Sequence, residues 1–271
     1  MKRLLSVFVI LFSIILLSAC GVVTKDQTGN ELVKNYEAKE EVNELEIKNI
    51  KLVDGSKSRA VNLYIKNSKE KSITIKMQES LENEIKVDYS STKLIISADS
   101  SAEYNTNKDF EITICGYVFE KISLSNATNA KLDNEVLSKD NIYFDLSGAS
   151  IINAKEIISN KLEADLSGAS SLTINKLELE ELNADLSGAS IAMLKGKAKN
   201  IDIELSGASL FKDYEFACDS GEANLSGASI LEITANNELT GSVSGASNVR
   251  YKGKAKNKMN VSDSSTVTGN N

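Results

Sequence analysis

Four carboxylates recur at one position of a repeated segment, and they are the residues best suited to chemistry. Each stands three residues before a glycine of the repeat. Stacked β-strands would place them about 5 Å apart, which is the carboxylate separation of retaining glycoside hydrolases. Carboxylate oxygens are also the ligands that Ca²⁺ prefers. The candidate cation- or ligand-binding residues are Asp145, Asp165, Asp185 and Glu204.

The composition limits what these carboxylates could do. The chain has no His, which excludes Ser-His-Asp catalysis and His-ligated zinc. A polysaccharide lyase or hydrolase needs a clustered acid, base and cation, usually with Arg, but only Arg59 and Arg250 follow residue 19. A net charge of -7 argues against nucleic-acid binding. We therefore expect no catalytic site, no metal site and no cofactor, with at most weak Ca²⁺ binding along a solvated acidic column.

The position of the carboxylates is set by a repeat in the second half of the chain. The tetrapeptide Ser-Gly-Ala-Ser occurs six times, and two degenerate copies flank the series with Asn126 and Asp263 in the glycine place. From Asn126 to Asp263 the anchors follow one another at nearly constant spacing. Units this short cannot bury a core alone but can stack into a solenoid. The glycines are Gly148, Gly168, Gly188, Gly207, Gly227 and Gly245.

Each unit shows the period-two alternation of a β-strand. Apolar residues stand two before and four after every anchor, as Leu166 and Leu172 do around Gly168. Leucine-rich repeats lack this glycine placement, and helical repeats need a 3.6-residue period. The glycine would supply a positive φ at a turn, a role that Asn and Asp tolerate. We predict an all-β fold, a right-handed parallel β-helix whose coils of about 20 residues carry an L-S-G-A-S turn.

Residues 1–19 have the features of a lipoprotein signal peptide. A basic start precedes an apolar run, and Leu17–Cys20 has the lipobox sequence Leu-Ser-Ala-Cys. In bacterial lipoproteins such a Cys carries fatty acyl chains, such as palmitate, and becomes the mature N-terminus. We expect Cys20 to be lipidated, with an ordinary secretion signal as the alternative. Residues 20–41 are polar and are predicted to form a lipidated flexible tether, or to contain a short helix within 31–41.

The remaining residues divide into two parts. Residues 42–116 carry no Ser-Gly-Ala-Ser copy, and their pattern predicts short strands separated by turn-type segments. We expect N-terminal strands that cap the open edge of the solenoid, with a separate small β-domain as the alternative. Residues 117–269 are predicted to form the repeat β-helix.

This order of features resembles a bacterial domain family, the putative auto-transporter adhesin head GIN domain. Irregular strands come first, then a segment like Ile122–Ala127, and then repeated L-S-G-A-S, over about residues 42–269. The resemblance implies a β-helix-like fold and a surface-exposed location, and it implies no reaction. Members of this family are often lipoproteins or signal-bearing envelope proteins. The repeat copies lie at Leu146–Ser150, Leu166–Ser170, Leu186–Ser190, Leu205–Ser209 and Leu225–Ser229.

Together these features predict a non-enzymatic lipoprotein of the bacterial cell envelope. It would be exported, lipid-anchored through Cys20 in the outer membrane or at the cell surface, and would act as an adhesin-like binding or structural domain there or in the periplasm. Its expected partners are the membrane and an unknown surface polymer or protein, and not nucleic acid. The alternatives are a polysaccharide-active β-helix enzyme, a lyase or hydrolase that uses the outer acidic column, and a purely structural role in envelope maintenance.

Overall fold

The chain folds into parallel β-coils stacked on one another. A computed structural model describes residues 23–137 and 141–270. The helical structure in these residues is a single 3₁₀ helix at Glu79–Asn83. The predicted all-β solenoid of short parallel coils is confirmed, while its right-handedness stays a prediction. The strands are β1 (Val23–Asp26), β2 (Glu31–Tyr36), β3 (Glu44–Lys48), β4 (Leu52–Asp54), β5 (Lys57–Arg59), β6 (Val61–Lys66), β7 (Ser72–Gln78), β8 (Lys86–Ser90), β9 (Lys93–Ser97), β10 (Ala102–Asn105), β11 (Phe110–Cys115), β12 (Lys121–Leu124), β13 (Thr128–Leu137), β14 (Asn141–Leu146), β15 (Ile151–Ile158), β16 (Lys161–Leu166), β17 (Ser171–Leu186), β18 (Ile191–Leu205), β19 (Leu210–Leu225), β20 (Ile230–Val243), β21 (Asn248–Lys252), β22 (Lys256–Val261) and β23 (Thr266–Asn270).

Each repeat forms one coil with three stretches. In β17 a post-turn stretch covers residues 171–174, a middle stretch 177–179, and a pre-turn stretch 181–186. Each stretch pairs in parallel with the same stretch of the next coil, and a register shift between the post-turn and middle stretches accommodates coils of different length. One sequence position therefore becomes one straight column along the solenoid.

The core is built from the inward columns of these stretches. The predicted column two residues before each anchor is buried from Leu124 to Val243, and the column four residues after is buried from Ala130 to Val249. In the last described coil, Val261 is 48% exposed. At about 25 cal/mol per Å² of apolar surface, this continuous core is the main stabilising contribution to the stack.

The turn column requires glycine for two reasons. The glycines of the six complete copies have φ between +72° and +76°, a region that other residues rarely adopt. A Cβ on Gly188 would also lie 2.5 Å from the carbonyl oxygen of Gly168, because successive turns stack directly. That carbonyl accepts a 2.7 Å hydrogen bond from the Ala189 N–H. The predicted substitutes Asn126 and Asp263 have φ of +66° and +57°.

The serines of the repeat have a structural role at the turns. The serine two residues after each glycine is buried, and in five copies its hydroxyl donates to the carbonyl oxygen of the serine before that glycine. The Ser170 to Ser167 bond, for example, is 2.7 Å long. A buried hydroxyl needs such a partner, so this column closes the turn.

The opening coils are supplied by residues far away in the sequence. Strand β3 pairs in parallel with β12, and β6 pairs in parallel with β13, so these two strands lie directly beneath the first repeat. This register places Asn49 beneath Asn126, whose side-chain oxygen accepts a 3.0 Å hydrogen bond from the Asn49 N–H. Asn49 has φ of +62° and is an additional anchor that the sequence analysis missed.

The prediction of a flexible tether is wrong for residues 23–36. Strand β1 pairs in parallel with β10, and β2 pairs antiparallel with β7. The buried Gln78 amide donates to the carbonyl oxygens of Gln27 and Gly29, which fixes the connection between β1 and β2. The partner strands lie far away in the sequence, so the polar composition of the segment gave no local sign of them.

Strands β1, β2 and β8 form the outermost layer at the N-terminal end of the stack. In the described pairings each has a neighbour on one side alone, namely β10, β7 and β9 respectively. The 3₁₀ helix closes the core beneath them, with Leu81 fully buried and Ile85 6% exposed. We call residues 23–40 and 79–90, which contain β1, β2, the 3₁₀ helix and β8, the cap layer. No helix in the described part of the chain has the length and apolarity of a membrane span.

Two of the three cysteines lie in the described part of the chain. Cys115 and Cys218 are both free, and burial raises the pKa of the Cys218 thiol to about 12. Cys20 and the predicted signal peptide lie outside the described residues. The anchor therefore stays a prediction.

Candidate functional site: the acidic face

The pre-turn stretches bring the four predicted carboxylates into one column. Asp145 pairs with Asp165, Asp165 with Asp185, and Asp185 with Glu204 in successive parallel strands. The column starts at Glu46 and Ser123 beneath them and continues to Asn224 above. Because the inward neighbours of these residues are core leucines, the carboxylates project from the outer surface.

A second acidic column runs beside the first and was missed by the sequence analysis. Its members stand two residues earlier in each pre-turn stretch, on the same side of the strand. Glu163, Asp165, Asn183, Asp185, Asp202 and Glu204 line one open depression. Period two places residues i and i–2 on one face of a strand, so the spacing that predicts the first column is also the signal for the second. The second column is Tyr143, Glu163, Asn183, Asp202 and Glu222. We call the two columns together the acidic face.

The electrostatics of the first column are those of crowded carboxylates. Partial burial raises the pKa of Asp145 and of Asp185 above the usual range, and the charge of Asp165 between them raises both further. Burial is the larger cause of both raised pKa values, whereas the spacing in the sequence suggests only repulsion between the stacked carboxylates. Both causes disfavour the charged form. A cation placed here would be attracted by the carboxylates that are ionised.

Two polar groups on the face add to this arrangement. The Tyr143 hydroxyl donates a hydrogen bond to Asp165, and burial together with that bond raises the Tyr143 pKa. Tyr143 therefore stays protonated as a donor over the physiological range. Asn183 lines the depression, and its buried side-chain oxygen has no hydrogen-bond partner among the described residues.

The two described arginines lie away from the acidic face, whereas Lys161 at its edge forms ion pairs with Glu163 and Glu181. Arg59 is paired with Asp54 and Asp109 near the N-terminal end, and Arg250 donates to Glu232 on the post-turn side. Within the described residues, no group of three or more Cys, Asp or Glu side chains is arranged to hold a metal ion. The carboxylates repeated in register can act as an extended acceptor of positive charge. The predicted weak Ca²⁺ binding stays untested.

Comparison with known proteins agrees with the fold and the repeat. A family model described as "Putative auto-transporter adhesin, head GIN domain" matches residues 50–255, about three quarters of the chain. The chain belongs to this family. The resemblance noted in the sequence is thus confirmed, and membership supports an adhesin-like, non-enzymatic role for an exported protein of the cell envelope. No curated protein sequence matches the chain.

Three solved structures share the fold of this GIN-domain chain. A putative adhesin from Parabacteroides merdae has a TM-score of 0.80 at 16% identity, covering 92% of this chain and 100% of its own. A putative adhesin from Parabacteroides distasonis has a TM-score of 0.76 at 18% identity, covering 91% and 99%. A protein named a putative lipid binding protein, from the same species, has a TM-score of 0.80 at 14% identity, covering 92% and 100%. At these identities the likeness establishes the fold alone.

Proposed function

We infer that this GIN-domain protein is a lipid-anchored adhesin of the bacterial envelope whose acidic face binds a positively charged polymer or protein. The observation that carries the inference is the unbroken register from Asp145 to Glu204, which repeats one carboxylate in four successive coils. A ligand with regularly spaced positive groups would meet the same contact in each coil. Multivalent contact of this kind gives useful affinity even when each exposed ion pair contributes only about 0.2–1 kcal/mol.

The anchor is the second part of the proposal. The Leu-Ser-Ala-Cys sequence supports lipidation at Cys20, in the outer membrane or at the cell surface. Two or more acyl chains hold a protein on a bilayer stably where one does not. An anchored solenoid would present its outer face to polymers around the cell.

Two measurements test the two parts separately. The protein and its Cys20→Ala variant are fractionated from cells by detergent phase partition. We expect the native chain in the detergent phase and the variant in the aqueous phase, and native chain in the aqueous phase would refute the anchor.

Residues 21–271 are then titrated with three polysaccharides of similar length, one cationic, one neutral and one anionic. We expect binding of the cationic polymer alone, weakening as salt is added because salt screens exposed charges. Equal binding of the neutral polymer would show that charge on this face is not what recognises the ligand.

A further inference from the structure

The N-terminal strand starts very close to the proposed anchor. Val23 opens β1, and only residues 21 and 22 separate it from Cys20. Three residue steps span at most about 10 Å when fully extended. The interfacial layer on each side of a bilayer is itself about 5–7 Å thick. A lipidated Cys20 would therefore hold Val23 within or just above the headgroups.

Strand β1 is held to the body along its length. The Val23 N–H donates to the carbonyl oxygen of Ser101 at 3.0 Å, and the strand pairs with β10 from end to end. Lys25 forms a 2.8 Å ion pair with Glu84 of the cap layer. Thr28 N–H donates to the Ser80 hydroxyl at 2.9 Å. The segment cannot lengthen the tether without losing these contacts.

The position of β1 fixes which part of the body comes next. Strand β1 belongs to the cap layer, at the opposite end of the stack from Asp263. Eight coil steps separate Asn49 from Asp263, which is about 38 Å at strand spacing. From these distances we propose that the cap layer rests on the phospholipid headgroups and that the solenoid stands away from the bilayer, with its C-terminal coils outermost. This proposal rests on the lipid anchor inferred above.

The charge of the cap layer shows that the acyl chains, and not attraction to lipid, would hold it there. Residues 23–40 and 79–90 contain four lysines against eight carboxylates. A net acidic surface is not attracted to anionic headgroups. Without lipidation the body should therefore leave the bilayer, and vesicles of phosphatidylcholine are the appropriate test surface.

The absence of Trp from the chain allows a clean distance measurement. One reporter is Ser100→Trp, at an exposed turn beside Val23, and the other is Ser264→Trp, at an exposed position of the last described turn. The full-length lipidated proteins are reconstituted into phosphatidylcholine vesicles that contain a dansyl-headgroup lipid. Energy transfer from each Trp to the dansyl groups is measured after flotation of the vesicles.

We expect strong transfer from the Ser100→Trp reporter and weak transfer from the Ser264→Trp reporter. Inserting a Gly/Ser linker of about 20 residues between Gly21 and Val22, with a root-mean-square length of about 25 Å, should lower the first signal and reduce the difference. Equal energy transfer from the two positions without the linker would contradict the proposed contact between the cap layer and the headgroups. Energy transfer from the Ser100→Trp reporter that stays the same after the linker is inserted would also contradict it.

The lipidation control separates this proposal from the anchor itself. The Cys20→Ala variants of both reporters should not float with the vesicles. If the native chain also fails to float, both the lipid anchor and the contact of the cap layer with the headgroups are refuted. If the native chain floats but the two reporters show equal energy transfer, only the contact of the cap layer with the headgroups is refuted.

Discussion

Gly188 shows what each turn position requires of its residue. Its φ is +74°, and an added Cβ would meet the Gly168 carbonyl oxygen at 2.5 Å. Gly55 has a similar φ of +60° but nothing within 4 Å of the same point. The two glycines thus separate the cost of a left-handed backbone from the cost of crowding between coils.

We expect Gly55→Ala to lower the free energy of unfolding by about 1–2 kcal/mol, the cost of the left-handed conformation. Gly188→Ala should cost about 1–3 kcal/mol more, because the stacked backbone must also move. Denaturant unfolding of the two variants measures the difference. Equal losses would mean that the turns are not stacked as described.

The acidic face makes the stability depend on pH. The folded pKa values of Asp145 and Asp185 are raised, so the native state binds protons more tightly than the unfolded chain. Their destabilising effect is absent below the ordinary Asp pKa, near 3.8, and grows as the pH rises through the folded values. Neutralising both should therefore not destabilise the protein at neutral pH.

At pH 7 and low ionic strength, Asp145→Asn/Asp185→Asn should melt at or above the temperature of the native chain. The difference should disappear below the ordinary Asp pKa, where the carboxyls are protonated. In high salt it should only become smaller, because salt screens the repulsion from Asp165 and leaves the larger cost of partial burial. Melting curves over pH and salt check this. A double variant that melts lower at pH 7 than the native chain would contradict the sign of the pKa shifts.

How far the site was predictable follows from these same residues. Equal spacing from a turn anchor was enough to place Asp145, Asp165 and Asp185 in one column. Asn49 carries no Ser-Gly-Ala-Ser context, so its role became visible only through its pairing with Asn126. The extent to which neighbouring side chains bury Asp185 depends on packing, which spacing alone does not specify.

At the scale of one strand, adjacent residues of a pre-turn stretch have opposite environments. Leu186 is fully buried between Leu166 and Leu205, whereas its neighbour Asp185 lies on the outer surface and is only partly covered by neighbouring side chains. Leu186→Asp should lose at least about 3 kcal/mol, because it removes packing and buries an unpaired charge. Asp185→Asn should leave the melting temperature nearly unchanged. Similar melting shifts for the two would contradict the period-two assignment.

The cap layer depends on a polar contact that the strand pattern does not reveal. Thr106 is buried and its hydroxyl donates to the Gln78 side chain at 2.6 Å, while Gln78 in turn binds the connection between β1 and β2. Thr106→Val keeps the volume but leaves Gln78 with an unpaired buried oxygen, at a cost of about 1–3 kcal/mol. Hydrogen exchange should become faster in residues 23–30, with the repeat coils unchanged. Uniformly faster exchange would indicate that this contact is not local to the cap.

The contrast between the repeat and the cap explains where sequence reasoning succeeds in this molecule. In the repeat, each strand pairs with the equivalent strand of the next coil and each coil has the same pattern, so local spacing predicts the register. Strand β1 instead pairs with the distant strand β10, where Val23 lies opposite Ala102, and its own residues are mostly exposed. A segment of this kind looks like a linker until its distant partner is known.

For the whole molecule, the repeat is a means of extending one surface. The pairings that stack leucines inside also stack carboxylates outside, so the core and the acidic face have the same period. A charge-matched pair of variants can separate this face from net charge. Glu178 in the middle stretch and Glu180 directly after it form ion pairs with Lys197 and Lys199, and they supply the control.

Calorimetric titration with the cationic polysaccharide should be made on three proteins: the native domain, Asp165→Asn/Asp185→Asn, and Glu178→Gln/Glu180→Gln. Both variants remove two negative charges. Loss of two exposed contacts on the acidic face should weaken binding by roughly 1 kcal/mol, about fivefold, and should reduce the salt dependence. The control should bind as the native domain does. Equal weakening of the two variants, or unchanged binding by the Asp165→Asn/Asp185→Asn protein, would contradict recognition by the acidic face.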